Sequence, residues 1–299
     1  MKLKEPHLLS PQPVRREHRA RQNGKQLLGS ALVYATLSVL GLIVALPFLW
    51  TLTTALKVPG TTYRFPPEWI PSPATLRNFP KVFDLIPFWT FLRNSLLVTS
   101  IAMIGELLSA SLVAYGFARF RFPGRNVLFV VVLTTMMIPY PVTIVPSFIL
   151  FRQLGWVNTF LPLTVPAFLG PAFSIFLLRQ FFLTISRDLD DAAKLDGASE
   201  LRIFWEIILP LSKPALATIA VFSFVANWND FLNPLIYLND TDKYTLALGI
   251  NFLRQARSVV TDPAIQMAGT LLYLLPPIVL LFAAQRYFVQ GIVTTGMKE

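Results

Sequence analysis

Three asparagines and one aspartate crowd into residues 227–233 as Asn227, Trp228, Asn229, Asp230 and, three residues on, Asn233. Asn and Asp together donate and accept hydrogen bonds, which is what a hydroxyl-rich solute needs, and an indole can stack on the apolar face of such a solute. On a continuous helix Asn227 and Asp230 stand at i, i+3 and Asn229 and Asn233 at i, i+4, so they form two adjacent polar strips. Two further groups stand alone in apolar surroundings. Glu106 has Ala102 and Ser109 as its helical neighbours and no basic residue within reach along its own helix. Tyr140 sits between Pro139 and Pro141 in the run Met136-Met137-Ile138-Pro139-Tyr140-Pro141, which reads as a kinked helix or as a gate around Met137, Pro139 and Tyr140. None of these patterns is a catalytic set. His7 and His18 lie near the N-terminus, there is no cysteine, and Gly24-Lys25-Gln26 does not complete a nucleotide-binding loop. No GxSxG, no HExxH and no metal-ligand cluster occurs, so no catalytic or metal residue is assigned. The expected chemistry is non-covalent, and energy for uphill movement must come from a partner or an ion gradient.

The elements that position these groups are set by composition. Of the 299 residues, 54% are hydrophobic and 14% charged, against about 25% charged in a soluble domain. Mean hydropathy is +0.56. The apolar residues cluster into stretches long enough for spans of about 20 residues, and six are expected: about 29–56, 94–118, 126–150, 160–182, 214–237 and 264–286. Of the 16 carboxylates only Glu106 and Asp230 fall inside them. A charge at mid-membrane costs at least ~2.5–3.5 kcal/mol, so both should face protein or water. The net charge of +10 is explained by where the charges lie. With the N-terminus inside, 17 of the 26 basic residues fall on the cytosolic side, and both termini are expected there. The first span is too long for the apolar region of a signal peptide and is expected to be retained. Residues 1–25 hold seven basic groups and three prolines. They are expected to form a disordered basic tail on anionic lipid, with no nucleic-acid role.

The expected cytosolic loop over residues 186–210 is organised. Ser186 can cap a helix whose first turn holds Asp188. Gly197 can end it in a left-handed conformation. A second short helix then starts near Ser199, with Leu201, Phe204, Trp205 and Ile208 at i, i+3, i+4, i+7 as one apolar stripe. Such a unit offers a surface to a partner. It resembles the signature loop of ABC-importer permeases: an acidic residue and two alanines, three residues, Gly, nine residues, then Ile-x-Leu-Pro. Here Asp191-Ala192-Ala193, Gly197 and Ile207-Ile208-Leu209-Pro210 keep every spacing. Asp191 departs from the family's usual Glu by one methylene. Trp228-Asn229-Asp230-Phe231-Leu232, the turn Ala114-Tyr115-Gly116-Phe117-Ala118-Arg119, and the end Gln285 to Gly291 with Gly296 and Lys298 are similar to sugar permeases of the same superfamily.

The resemblance implies an all-α polytopic membrane protein with the type I importer permease fold, closest to the smaller permease of the maltose-type pair. It implies a second permease subunit, two ATPase subunits that hold ATP and Mg²⁺, and an extracytoplasmic sugar-binding protein. No cofactor is expected on this chain, and no enzymatic activity. The implied function is a permease subunit that couples ATP hydrolysis on its partners to alternating access for sugars or oligosaccharides. An ABC permease for amino acids or peptides, an ion-coupled transporter and a membrane scaffold stand as alternatives.

Overall fold

The computed structural model describes the backbone of residues 14–255 and 262–295, and the side chains of residues 29–253 and 262–285. These residues are helical, with no strand among them. They divide into two units, one up to Thr53 and one from Thr54 onward.

The first unit is helix α1 (Val14–Ala55) as far as Thr53. From Gly29 its apolar side chains are exposed, Leu32 by 70% and Val44 by 79%, as suits a helix surrounded by hydrocarbon. Residues 14–25, expected to be disordered, are helical. Arg15, Arg16, Glu17, Arg19, Ala20 and Arg21 are good helix formers and extend the span at little cost. Residues 1–13, with His7, lie outside the described residues.

The second unit runs through α2 (Asn78–Leu85), α3 (Phe88–Arg119), α4 (Arg125–Thr134) and α5 (Tyr140–Gln153). It continues with α6 (Leu161–Thr164), a 3₁₀ turn Val165–Leu169, and α7 (Ala172–Thr184). Next come α8 (Asp188–Leu195), α9 (Glu200–Ile203), a π-helical turn Phe204–Ile208, and α10 (Leu209–Leu211). The remainder is α11 (Lys213–Trp228), α12 (Leu232–Tyr237), α13 (Leu246–Gln255) and α14 (Pro263–Thr295). Helix α3 is the central pillar and packs on α7 and α11. Ala102, Ala110, Ala114 and Ala118 are fully buried along it. Their four-residue spacing makes a small-residue ridge that lets neighbouring helices approach closely. Glu106 occupies the missing step of that ridge, which is why it faces protein.

Among the described residues four helices can cross a membrane by length and composition: Gly29–Ala55, Phe88–Arg119, Leu161–Thr184 and Pro263–Gln285. Two bent pairs raise the number to six if each is one span: Arg125–Met137 with Tyr140–Gln153, bent by 98°, and Glu200–Leu211 with Lys213–Trp228, bent by 78°. The expected boundaries therefore shift. The second stretch starts at Phe88, six residues before Asn94, directly after the separate helix of residues 78–85. The third breaks at Pro139, whose extended backbone (ψ 133°) starts a new helix. The fifth is interrupted, since α11 ends at Trp228 and α12 resumes at Leu232.

Near the N-terminal end of α3, α13 lies close against it. A Cβ on Gly249 would stand 2.1 Å from the Phe91 ring, and Phe91 is only 2% exposed. The ring has no free space to yield into. Gly249→Val is expected to lower stability by about 1–3 kcal/mol through overpacking, read as a lower Tm in detergent. An unchanged Tm would mean that α13 does not pack this closely.

Candidate functional site

The loop over residues 186–210 is built around the C-terminal end of α3. Three arginines donate to its last carbonyls: Arg179 Nε to Phe117 at 3.4 Å, Arg187 Nη2 to Ala118 at 3.2 Å and Arg125 Nη1 to Phe120 at 3.1 Å. These carbonyls have no intrahelical donor, and cations also suit the negative end of the helix dipole. Arg119 pairs with Asp190 of α8 at 3.2 Å, with side chains 3% and 9% exposed. Burial pushes the Asp190 carboxyl up, while Arg119 and Lys194 pull it down. Tyr115 of α3 donates to Glu200 Oε2 at 3.0 Å, and Lys194 reaches Glu200 Oε1 at 2.7 Å. Glu200 thus ties α3, α8 and α9 together. The inner face of this loop is anchored to the second span, and its outer face is open.

Gly197 makes the turn between the two short helices at φ +80°. The Ala198 N–H donates to Ala193 at 2.9 Å and the Gly197 N–H to Lys194 at 3.0 Å, the two bonds of a Schellman motif. Ser199 caps α9 through the Arg202 N–H. At the other end, the Asp188 N–H donates to Ser186 Oγ at 3.2 Å. The expected apolar stripe is divided. Phe204 and Ile208 are fully buried with Ile203, but Leu201 is 64% and Trp205 52% exposed. Phe204 and Ile208, at i and i+4, turn inward with Ile203, while Leu201 and Trp205, also at i and i+4, turn outward; a π-helical turn spans Phe204–Ile208. Asp191 and Ala192 are exposed, Ala193, Ile207 and Leu209 half-buried and Pro210 exposed. An open groove of about 270 Å³ lined by Ala193, Asp196, Ala198, Arg202, Ile203, Glu206 and Ile207 runs along this face. With Leu195 89% exposed beside it, the face is apolar with a charged rim.

The second constellation is a hydrogen-bonded line through the helix bundle. Glu106 of α3 accepts from Ser174 of α7 at Oε1 and from Ser223 of α11 at Oε2, the latter at 2.6 Å. Asn227 Nδ2 donates to Ser223 Oγ at 3.3 Å, and the Asn227 carbonyl accepts from the Asp230 N–H at 3.3 Å. Asp230 Oδ1 accepts from the Asn233 N–H at 3.1 Å and Oδ2 from Asn233 Nδ2 at 2.8 Å. Tyr140 Oη donates to Asn233 Oδ1. The break in α4–α5 is therefore bonded to the break between α11 and α12. Tyr273 of α14 joins from another side, donating to Asn229 Oδ1 at 2.6 Å.

This geometry corrects two expectations. Asn229, Asp230 and Asn233 do not form strips on one helix; they surround a helix break, with Asp230 as the acceptor that starts α12. Trp228 is not available for stacking on a solute. It is 1% exposed, stacks on Phe224 at 5.5 Å and donates Nε1 to the Tyr273 carbonyl at 3.2 Å. Ser174, Ser223 and Tyr273 are members that the sequence reading missed. A hydroxyl inside a charge-free apolar run is the signal that was there to find them. Tyr140 and Asn229 are exposed and Asn227, Asp230, Asn233 and Tyr273 half-buried, so the line has an accessible end. Among the described residues no group of three His, Cys, Asp or Glu can hold a metal. Gly296 and Lys298 lie outside the described residues.

Comparison with known proteins agrees with this anatomy. The chain is 36% identical over 229 residues to the arabinooligosaccharides transport system permease protein AraQ of Halalkalibacterium halodurans, covering 76% of this chain and 81% of that protein. It is 34% identical over 265 residues to the sn-glycerol-3-phosphate transport system permease protein UgpE of Escherichia coli O157:H7, covering 86% and 94%. In fold it matches a chain of a bacterial ABC transporter that imports the acidic polysaccharide alginate, with a TM-score of 0.77 at 23% identity over 88% of this chain and 98% of that one. A chain of the MetNI methionine ABC transporter matches with a TM-score of 0.52 at 16% identity over 71% and 97%. Residues 107–294, which hold the anchored loop and most of the polar line, match the model of the binding-protein-dependent transport system inner membrane component, and the chain belongs to that family.

Proposed function

We propose that this chain is one of two paired permease subunits of an ATP-driven, binding-protein-dependent sugar importer. Six spans cross the membrane, each bent pair serving as one, with both termini cytosolic. The observation that carries the reading is the anchored loop at residues 186–210. Arg119–Asp190 and Tyr115–Glu200–Lys194 fix it to the second span, while Asp191, Leu195, Leu201 and Trp205 face outward. A loop held so firmly on one side transmits displacement from a docked ATPase into α3. The ATPase subunits hold ATP and Mg²⁺; this chain contributes coupling and part of the pore.

The line from Glu106 to Tyr140 borders the sugar path. Asn229, Asn233, Tyr140 and Tyr273 supply donors and acceptors for sugar hydroxyls. The two bonded helix breaks let the path open and close by repacking, since broken backbone at membrane depth belongs where it lines a cavity. Residues 57–93 and 238–265 form the outer surface for the sugar-binding protein; of these, 256–261 lie outside the described residues. Part of that surface is preset. Asn158 Nδ2 donates to Asp240 Oδ2 at 2.7 Å, and its Oδ1 accepts from the N–H groups of Asn239 and Asp240, each at 3.1 Å. These bonds and Lys243 hold the Asp240 carboxyl below its ordinary range.

Pull-down of an ATPase with the tagged chain from its native host, together with sugar uptake that vanadate inhibits, tests the reading. Uptake that resists vanadate and collapses with an uncoupler would assign the chain to ion-coupled transport. Topology is tested separately. Ser72→Cys is expected to react with a membrane-impermeant thiol reagent from outside, and a reporter joined after Glu299 to be active inside, because most basic residues lie on the cytosolic side of this map. Labelling of residue 72 only after the membrane is permeabilised would overturn the orientation.

A further inference from the structure

We propose that the path through this subunit selects neutral saccharides and rejects anionic cargo such as uronates and sugar phosphates; the inference rests on the polar line bordering that path. The warrant is fixed charge. The carboxylates inside the expected spans are Glu106 and Asp230; Arg179, in the span 160–182, donates to the Phe117 carbonyl at the end of α3, away from the line, Arg286 is the last residue of the final span, and the stretches 126–151, 153–178 and 263–285 hold no charged residue. The two carboxyl groups belong to one hydrogen-bonded line through Ser223, Asn227 and Asn233. Asp230 is bonded to the Asn233 N–H and side-chain amide, and among the described residues no ion pair includes it. The ion pairs found among those residues are Arg119–Asp190, Lys194–Glu200, Arg202–Glu206 and Lys243–Asp240. None of them touches the line.

The donor set agrees with the charge. Amides and phenols pair with hydroxyls, whereas recognition of a carboxylate or phosphate draws on Arg or Lys. In the water-poor middle of a membrane a like charge is repelled over a longer range than at the surface, because little solvent screens it. Two of the related proteins, the sn-glycerol-3-phosphate permease and the alginate importer, are named for acidic cargo. Among the described residues no Lys or Arg pairs with the polar line to carry such a solute.

The test uses the whole importer, assembled with its partner subunits and sugar-binding protein in proteoliposomes. Uptake of neutral trisaccharides is compared with that of trisaccharides of equal length bearing one uronate, and with glycerol 3-phosphate. Each rate is divided by the measured occupancy of the binding protein. Neutral cargo is expected to enter at least tenfold faster at equal occupancy. Asp230→Asn should raise the anionic-to-neutral ratio several-fold, and Asp230→Arg should raise it further. Equal rates for neutral and anionic cargo in the unmodified importer overturn the proposal. A ratio unmoved by both Asp230 variants removes Asp230 as its source and overturns it as stated. No uptake of any saccharide from an assembly that retains its ATPase is a different result, because it sinks the sugar-path reading itself.

Discussion

Gly197→Pro is expected to abolish sugar uptake while the protein still inserts into the membrane at a normal level. Gly197 holds φ at +80°, and proline is locked near −65°. A positive φ alone costs an L-residue of order 1–2 kcal/mol. Proline also removes the N–H that donates to Lys194 at 3.0 Å, a bond of about 0.5–1.5 kcal/mol. The two short helices then leave the turn at a different angle, and the face carrying Leu195 and Leu201 is lost. Insertion is spared because nothing lies within 4 Å of the added Cβ. For the same reason Gly197→Ala, which meets only the φ penalty and keeps the N–H, should retain part of the uptake. Asp191→Lys tests the same surface by charge. Asp191 is exposed, and a partner charge left unpaired in a docked interface can cost about 2–5 kcal/mol, which weakens docking tenfold or much more. Asp191→Glu should be tolerated. ATPase recovered in a pull-down should fall with uptake in both disruptive variants, or hydrolysis should stop responding to the loaded binding protein. If both variants transport normally and keep the ATPase, this loop is not the coupling element.

What the sequence made legible was local. The Gly197 turn, the helix start at Ser199 and the acidic first turn of α8 all depend on residues a few positions apart, so spacing was enough to find them, although the cap expected at Ser186 falls one residue before the helix N-cap, Arg187. The apolar stripe failed because spacing groups Leu201, Phe204, Trp205 and Ile208 on one side without saying where the buried arc is centred, and that arc holds Ile203, Phe204 and Ile208 but not Leu201 and Trp205. The anchoring of the loop was illegible for another reason. Arg119–Asp190 and Tyr115–Glu200 join residues far apart in the chain, and no pattern along the sequence pairs them. Glu106 stood out as a lone carboxyl, but its partners Ser174 and Ser223 lie 68 and 117 residues away. Trp228 was misread because an aromatic next to polar residues has the same pattern whether it faces a pore or a core. Its burial depends on Phe224 and Tyr273, and the second of these lies on a distant helix.

Asp230→Leu is expected to cut uptake at least tenfold without releasing the ATPase or lowering the amount of protein in the membrane. The carboxylate holds the Asn233 N–H at 3.1 Å and its side-chain amide at 2.8 Å. Leucine accepts neither. The first turn of α12 loses an acceptor, at about 1 kcal/mol, and Asn233 loses the bond that aims its carbonyl oxygen at Tyr140. The bonded link between the two helix breaks loosens at the point where the path is proposed to open. Membrane insertion does not suffer, since replacing a carboxylate at membrane depth by an apolar group removes a cost of at least ~2.5–3.5 kcal/mol. Docking is spared as well, because Arg119, Tyr115 and Glu200 anchor the loop through contacts that do not include Asp230. Tyr140→Phe removes only the hydroxyl that reaches Asn233, so it should reduce uptake less than Asp230→Leu and in the same direction. Transport rate, ATPase recovery and membrane level are measured on the same preparations. Normal uptake in Asp230→Leu would reduce the whole line from Glu106 to Tyr140 to helix packing, whereas loss of ATPase recovery in step with uptake would mean that Asp230 acts through the fold and not through the path.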